Sequence, residues 1–290
     1  MSQQQTIVVT GASSGFGRDI AERFAGAGWR VFATVRDPRG RHAQSAGELE
    51  ARGIHVVDLE VTDQASVDRA AAEILAAGPV DVLVNNAGSV FFGVLEAFTA
   101  ETVRKQFEVN VFGPLRVNRA FLPAMRERRG GLVVFVSSVV GRLVVPFNGV
   151  YTASKWALEA LAETASYELA PFGIDVAIVQ PGAYETNVLK SRTDADDAQR
   201  LAGYGEVTPL AQNIFDAFAQ LAAGHDSREV AEAIFALALQ PAGSRPLRTI
   251  VPDDPSVAAI NGAVAPIQHG LMTAFGLGAL LPKEATAASR

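Results

Sequence analysis

The stretch from Thr6 to Ala27 restricts the fold more than any other part of the chain. Thr6-Ile-Val-Val-Thr10 is a short β-branched run and reads as a buried strand. Gly11-Ala-Ser-Ser-Gly15-Phe-Gly17 follows, and Arg18 to Ala27 then carries Ile20, Ala21, Phe24 and Ala25 at helical spacing. Strand, glycine-rich turn and helix in that order point backbone N–H groups at a helix N-terminus, where a phosphate is received. The glycines serve the tight turn, the close approach of backbone to pyrophosphate and the packing of helix on strand. The spacing is G-x-x-x-G-x-G rather than G-x-G-x-x-G, so these residues alone also fit a plain turn.

The same alternation continues. Arg30 to Val35, Ile54 to Val57, Val80 to Val84, Leu132 to Val136, Gly173 to Val179 and Leu247 to Val251 read as further strands. Helical patterns run from Val67 to Leu75, behind a cap at Thr62 or Asp63, from Glu101 to Arg129, and from Tyr151 to Ala170. Strands alternating with helices predict an α/β fold, a doubly wound parallel sheet of Rossmann type with about seven strands and helices on both faces. The 290 residues contain no linker-like Pro/Gly/Ser run and no internal repeat. One domain over 1–252, with a C-terminal extension over 253–290, is therefore expected.

Composition narrows the function classes. The net charge is −6, and the longest basic cluster, Arg126 to Arg129, ends a helical pattern where it complements the helix dipole. A nucleic-acid partner is not expected. With no cysteine there is no thiolate nucleophile, disulfide framework or Cys-based metal site. The four histidines are scattered without ligand spacing, so no metal is expected. The polar start Met-Ser-Gln-Gln-Gln is not read as a secretory signal, and no apolar run reaches the ~18 residues that span a bilayer. A cytoplasmic protein without an integral membrane segment is the expectation.

Polar residues at strand ends and on one helix carry the chemistry. Val35 and Arg36 stand where an NAD-preferring chain would place an acidic residue for the ribose diol. An arginine fork suits a 2′-phosphate, with Arg18 as a second cation, so NADP(H) is favoured over NAD(H); Asp37 keeps an NAD reading open. Tyr151 and Lys155 are four residues apart and share a helix face. A fixed ammonium favours phenolate and draws the tyrosine pKa down from about 10, so the phenol can pass a proton to or from an alcohol or carbonyl oxygen. On its own the pair also fits a solvated helix face. Ser138, at the C-terminal end of its strand, is placed where ligands of open parallel sheets sit. Pro114 has no N–H and frees the carbonyl of Asn110 in mid-helix, for use by a water or a lysine, or as a plain kink.

Read together, Thr10-Gly11-x-x-x-Gly15-x-Gly17, Asn85-Asn86-Ala87-Gly88, Asn110, Ser138, Tyr151-x-x-x-Lys155 and Pro181-Gly182-x-x-x-Thr186 resemble the short-chain dehydrogenase/reductase family in order and spacing. Phe32-Ala-Thr-Val-Arg-Asp37 resembles its hydroxysteroid and retinol dehydrogenase branch. The resemblance implies Tyr151 as general acid/base, with Lys155 lowering its pKa and holding the nicotinamide ribose. It implies Ser138 as the group that positions the substrate oxygen. Asn110 would hold, through its main-chain carbonyl, a water linking Lys155 to solvent. Gly11, Ser13, Ser14, Gly15, Phe16 and Gly17 would bind pyrophosphate, and Asn86, Ala87 and Gly88 would line the adenosine side. Glu60 and Val61 would lie near the adenine, although the family commonly has Asp where Glu60 stands and Asp58 is an alternative. Pro181, Gly182 and Thr186 would flank the nicotinamide carboxamide. A homodimer or homotetramer, paired through the two long helices, is also implied.

The family builds its substrate lid where this chain has Ala183 to Asp226. An acidic, mobile-looking part, Asp194 to Asp197, precedes an amphipathic helix with Val207, Leu210, Ile214, Phe215, Phe218 and Leu221 on one stripe. With Val90, Phe91, Val144, Phe147, Tyr184 and Phe215 it would line a pocket for a hydrophobic ketone or secondary alcohol, though core packing is open for each of them. The apolar tail from Val257 to Leu281 would cover the pocket, contact a subunit or rest on a membrane surface. A non-catalytic dinucleotide sensor and an epimerase or dehydratase on the same fold are the rival readings.

Overall fold

The computed structural model describes residues 4–186 and 191–281. Seven parallel strands form one sheet: β1 (Thr6–Val9), β2 (Arg30–Val35), β3 (His55–Asp58), β4 (Val82–Asn85), β6 (Gly131–Val136), β7 (Ile174–Pro181) and β9 (Arg248–Val251). Their spatial order is β3-β2-β1-β4-β6-β7-β9. The chain winds outward from β1 in one direction, then crosses to β4 and winds outward in the other. This is the doubly wound Rossmann-type arrangement expected from the strand–helix alternation.

Both faces of the sheet are covered, which is why its strands are near-continuous apolar runs. Ile7 and Val9 pack on one side with Ile20, Ala21 and Phe24 of α1 (Gly15–Gly26), Leu49 of α2 (Ala43–Glu50), and Val230, Ile234 and Leu237 of a later helix, Arg228–Leu239. Val8 packs on the other side with Val67, Ala70 and Ile74 of α3 (Gln64–Ala76). Phe121 and Met125 of α5 (Gly113–Arg128) and Leu158 and Ala162 of α6 (Gly149–Leu169) complete that layer. Asp63, rather than Thr62, caps α3, its carboxylate accepting from the N–H of Ala65.

The helical pattern from Glu101 to Arg129 is not one helix. It divides into α4 (Ala100–Phe107), a π-helical turn over Glu108–Phe112, and α5. Pro114 stands in the first turn of α5, where its missing N–H costs nothing. The break that Pro114 marks in the helical pattern is neither a straight helix nor a plain kink but a π-turn, and Asn110 lies inside it. Such turns gather at functional sites.

Beyond β7 the lid contains α7 (Ala198–Gly203) and α8 (Thr208–Ala222). A two-stranded ribbon ties it to the loop after β4: β5 (Phe91–Phe92) runs parallel to β8 (Thr193–Asp194). Asp194 to Asp197, expected to be mobile, is anchored. The backbone N–H groups of Asp196 and Asp197 donate to the carbonyl of Ala97, and Thr102 Oγ1 donates to Asp196 Oδ2 at 2.5 Å. α9 (Arg228–Leu239) and α10 (Pro255–Ala274) complete the chain. α10 opens the C-terminal extension and buries only Val257 and Met272; the rest of the extension, 282–290, lies outside the described residues, as do 187–190 of the lid. No described helix is long and apolar enough to cross a membrane. No group of three or more described His, Cys, Asp or Glu residues could hold a metal.

Candidate active site

A cleft of about 600 Å³ opens at the C-terminal ends of the strands. Its floor at one end is the turn between β1 and α1. Gly11 has φ +68° and Gly15 φ +54°, a conformation glycine adopts without penalty. A Cβ on Gly11 would stand 2.8 Å from Cα of Ala87. A Cβ on Gly17 would collide with the carbonyl oxygen of Gly11 and stand 2.5 Å from Asn86 Nδ2. The turn is therefore held tight against the end of β4. Asn86 locks it, donating from Nδ2 to the carbonyls of Thr10 at 2.8 Å and Gly11 at 3.2 Å. Thr10 Oγ1 receives the N–H groups of Asn86 and Ala87 in return. The cradle leaves the N-terminus of α1 open to the cleft, beside Ser13, Ser14, Gly15 and Phe16. These residues fit a dinucleotide pyrophosphate: no side chain of the described residues fills the space in front of the helix N-terminus.

Arg36, Glu60 and Val61 also line the cleft, as do Ala87 and Gly88. Arg36 Nη1 pairs with Glu60 Oε2 at 3.1 Å. Arg18 is elsewhere: its guanidinium is committed to Glu22 and Glu48, and it does not line the cleft. The second cation there is Arg41, accompanied by His42. The backbone N–H of Arg41 donates to Asp37 Oδ2, and His42 Nδ1 lies 2.6 Å from the carbonyl oxygen of Arg36. Sequence reasoning missed both, because the turn that returns them to β2 has no strong pattern; Asp37, at φ +49°, makes it.

Tyr151 and Lys155 of α6 line the same cleft, as does Thr186, whose Cβ would stand 3.5 Å from a Cβ on Gly15 of the cradle. Ser138, 8% exposed just beyond β6, stands beside the Tyr151 side chain. Its own Oγ also receives the N–H of Val140 and reaches the carbonyl of Pro181 at 3.4 Å. Gly182 is held by its N–H on the carbonyl of Val251. Lys155 donates from Nζ to the carbonyl of Val136 at 2.8 Å. Its ammonium lies 5.6 Å from the centre of the Tyr151 ring. Asn110 reaches the site by its side chain: Nδ2 donates to Ser154 Oγ and the Ser89 carbonyl, both at 3.0 Å, and Oδ1 accepts from Ser89 N–H at 2.9 Å. It clamps the π-turn, the loop after β4 and α6 together.

The electrostatics differ from the simple Tyr–Lys expectation. Burial pushes the Tyr151 phenol up to about 12, and the neighbouring Ser138 hydroxyl pulls it only partly back. Burial also brings the Lys155 ammonium down to about 8, opposed by the carboxylate of Glu159. Without a cofactor, the cost of taking both groups out of water outweighs their mutual effect.

The residues expected to line a substrate pocket are dispersed. Val90 does line the cleft. Phe91 stacks on Phe98 in a small cluster with Val150, and Phe147 holds Gly93 through its carbonyl. Val144 is 74% exposed. Phe215 meets Phe92 edge-on and lies under the guanidinium of Arg192. Tyr184 belongs to the core below α1: its ring packs edge-on against Phe16 and His225, and its hydroxyl donates to Glu229 at 2.9 Å. Ser137, Ser89, Val109, Val136 and Ser191 also line the cleft.

Comparison with known proteins agrees with this geometry. The family model for short chain dehydrogenase matches residues 5–197. The chain is 36% identical over 242 residues to the uncharacterized oxidoreductase YusZ of Bacillus subtilis, covering 80% of this chain and 83% of the relative. It is 37% identical over 205 residues to 3-ketodihydrosphingosine reductase of Bacteroides thetaiotaomicron, covering 70% and 71%. It is 40% identical over 187 residues to human 17-beta-hydroxysteroid dehydrogenase type 1, covering 62% and 57%. Among solved structures, a short-chain dehydrogenase from Streptomyces avermitilis superposes with a TM-score of 0.76 at 35% identity, covering 95% of this chain and 97% of the other. A metagenomic short-chain oxidoreductase in complex with NADP gives 0.66 at 28% identity, covering 85% and 96%. A Burkholderia phymatum family member in complex with NAD gives 0.74 at 28%, covering 92% and 95%. The sheet, the cradle and the matched sequence lead to one conclusion: this chain belongs to the short-chain dehydrogenase/reductase family, in its hydroxysteroid/retinol dehydrogenase-like branch, and is an oxidoreductase acting on CH–OH groups with a nicotinamide dinucleotide.

Proposed function

We propose that the chain interconverts a hydrophobic ketone and its secondary alcohol and prefers NADP(H) to NAD(H). The observation that carries this reading is that Tyr151 and Lys155 line the same cleft as the glycine cradle, with Ser138 beside Tyr151. When bound, the dinucleotide supplies or accepts the hydride. The chain's own residues handle the oxygen. Tyr151 keeps its proton to high pH and gives it to the oxygen of a carbonyl being reduced. Ser138, beside Tyr151, holds that oxygen and offsets its developing charge. Lys155 binds the ribose hydroxyls and keeps a positive charge beside the phenol. Asn110 fixes the spacing between the loop after β4 and α6, and its main-chain carbonyl holds a water on the path from Lys155 to solvent.

Gly11, Ser13, Ser14, Gly15, Phe16 and Gly17 take the pyrophosphate, and Pro181, Gly182 and Thr186 meet the carboxamide. Arg36 and Arg41 take the 2′-phosphate. The Arg36–Glu60 pair is solvent-exposed and so weak enough to open for a phosphate. The names of two relatives, a 3-ketodihydrosphingosine reductase and a 17-beta-hydroxysteroid dehydrogenase, support a bulky apolar substrate. The apolar stripe of α8 supports it too. Phe112, Leu115, Trp156 and Leu161 remain exposed on the π-turn, α5 and α6 and suit pairing with a second copy of the chain.

Titration with NADPH and NADH, followed by nicotinamide fluorescence and a screen of apolar ketones, tests the reading. NADPH is expected to bind more tightly. In Arg36→Gln combined with Arg41→Gln, NADPH affinity should fall about 10- to 100-fold, as for loss of charge-assisted phosphate contacts, with NADH affinity nearly unchanged. Equal affinity for the two dinucleotides in the unaltered protein would overturn the preference.

A further inference from the structure

Helix α6 carries a line of titratable groups four residues apart: Tyr151, Lys155, Glu159, Glu163 and Tyr167. That spacing places them on one face. The first two belong to the reaction proposed above, whereas Glu159 has no part in it. Glu159 is nevertheless 2% exposed, and a carboxylate so placed needs strong partners. It has them. Oε1 accepts from Gln180 Nε2 at 2.8 Å and Oε2 from Arg248 Nε at 2.9 Å. Arg248 also bonds Glu163, whose second oxygen accepts from the Tyr167 hydroxyl. Asn261 of α10 donates in turn to Gln180 Oε1 at 2.8 Å.

Space for the carboxylate comes from Gly141. A Cβ there would stand 3.1 Å from Glu159 Cγ, 3.2 Å from its Oε1 and 2.7 Å from Ser137 Oγ. Ser137 lines the cleft, so Glu159 sits directly behind the cleft wall. Among the described residues the charged groups around it are Lys155 and Glu163 on α6, Arg248 on β9 and Arg142 just after β6. Three cations thus face two carboxylates, and without Glu159 they would face one.

We propose that Glu159 is a positioning residue that keeps Lys155 an ammonium: its carboxylate, fixed one helical turn beyond Lys155 by Arg248 and Gln180, supplies the counter-charge that the buried lysine lacks. Through Gln180 and Asn261, the C-terminal helix α10 helps to set where that charge sits. The inference rests on the role assigned above to Lys155.

Competitive acetylation of the cofactor-free protein with trace acetic anhydride tests it, because only the neutral amine reacts and mass spectrometry resolves each lysine. The Lys155 midpoint is expected near pH 8, with exposed Lys105 as internal reference. In Glu159→Gln the Lys155 midpoint should fall by about one pH unit or more, while Glu159→Asp, which keeps the charge, should restore most of it. A Lys155 midpoint that stays put in Glu159→Gln, or moves only in step with Lys105, overturns the inference. Should Glu159→Gln not fold, Arg248→Gln removes the cation that shares Glu159 and should move the midpoint upward; no movement, or a fall, is the contrary result. The labelling uses neither dinucleotide nor substrate. Failure of the oxidoreductase reading would leave the midpoint shift intact, and an unmoved midpoint would leave turnover by Tyr151 untouched.

Discussion

At the cradle end of the cleft, the groups that meet a ligand are mostly main-chain atoms, and their positions are set by missing side chains and by Asn86 and Thr10. At the lid end the apolar stripe of α8 buries only Ala222, and Leu210 and Leu221 are 48% and 65% exposed. One end is defined by backbone geometry that few sequences satisfy. The other is defined by side-chain character that many sequences satisfy equally well. The cradle should therefore tolerate almost no change, and the lid should tolerate many.

The largest effect is expected from Gly17→Ala. The added methyl would meet the Gly11 carbonyl and Asn86 Nδ2, and main chain cannot give way as a flexible side chain can. We expect about 1–3 kcal/mol of lost stability from the overpacking, and NADPH binding weakened by about 100-fold through displacement of the turn. Thermal melting and a fluorescence titration read both. A Gly17→Ala protein that binds NADPH normally would erase the contrast between the two ends.

An intermediate effect belongs to the catalytic helix. Below pH 8 the folded, cofactor-free chain carries a buried ammonium at Lys155, held down to about 8 by burial from its usual 10.5. The unfolded chain keeps that proton up to about 10.5, so the contribution of Lys155 to stability rises as pH climbs from 8 to 10.5. Tyr151 acts in the opposite sense between pH 10 and 12, where the unfolded chain loses its proton first. Lys155→Met should therefore stabilise the cofactor-free protein by about 1–3 kcal/mol at pH 7, with the gain fading above pH 10. Melting temperatures across that range check it. A loss of stability at every pH would mean that the hydrogen bond to Val136 outweighs the desolvation.

The smallest effect is expected in the lid. Phe215 is only partly buried and touches Phe92 and Arg192. Phe215→Ala should cost less than about 1 kcal/mol of stability and raise the KM for an apolar ketone a few-fold, leaving NADPH affinity alone. A change in cofactor affinity would show that the two ends are coupled more tightly than their packing suggests.

The same contrast explains what the sequence disclosed. The strand runs and the glycine turn were legible because continuous apolar, β-branched runs and an absent Cβ are written residue by residue. Tyr151, Lys155 and Ser138 were legible because fixed spacings on a helix and at a strand end place them together. The π-turn was half legible: Pro114 marks the break, but backbone sterics do not specify which irregular turn fills it. The small helix α2 was not legible, since Ala46 and Leu49 are its only buried residues. Arg41 in place of Arg18 was not legible either, because which surface cation turns toward a cleft depends on its acidic neighbours, here Glu22 and Glu48. Tyr184 was read as part of the pocket because an aromatic residue beside a ligand motif does not reveal which way its ring faces. The effect of burial on Tyr151 and Lys155 depends on what α6 packs against, which no local pattern records.

The most direct test of the account is a single-turnover comparison of the unaltered protein with Tyr151→Phe, each saturated with NADPH and mixed with an apolar ketone. The account predicts equal NADPH binding and a loss of about 10²- to 10⁴-fold in the rate of NADPH oxidation, the range for removal of a positioned proton donor. Equal rates in the two proteins would contradict the assignment of Tyr151 as the acid that serves the carbonyl oxygen.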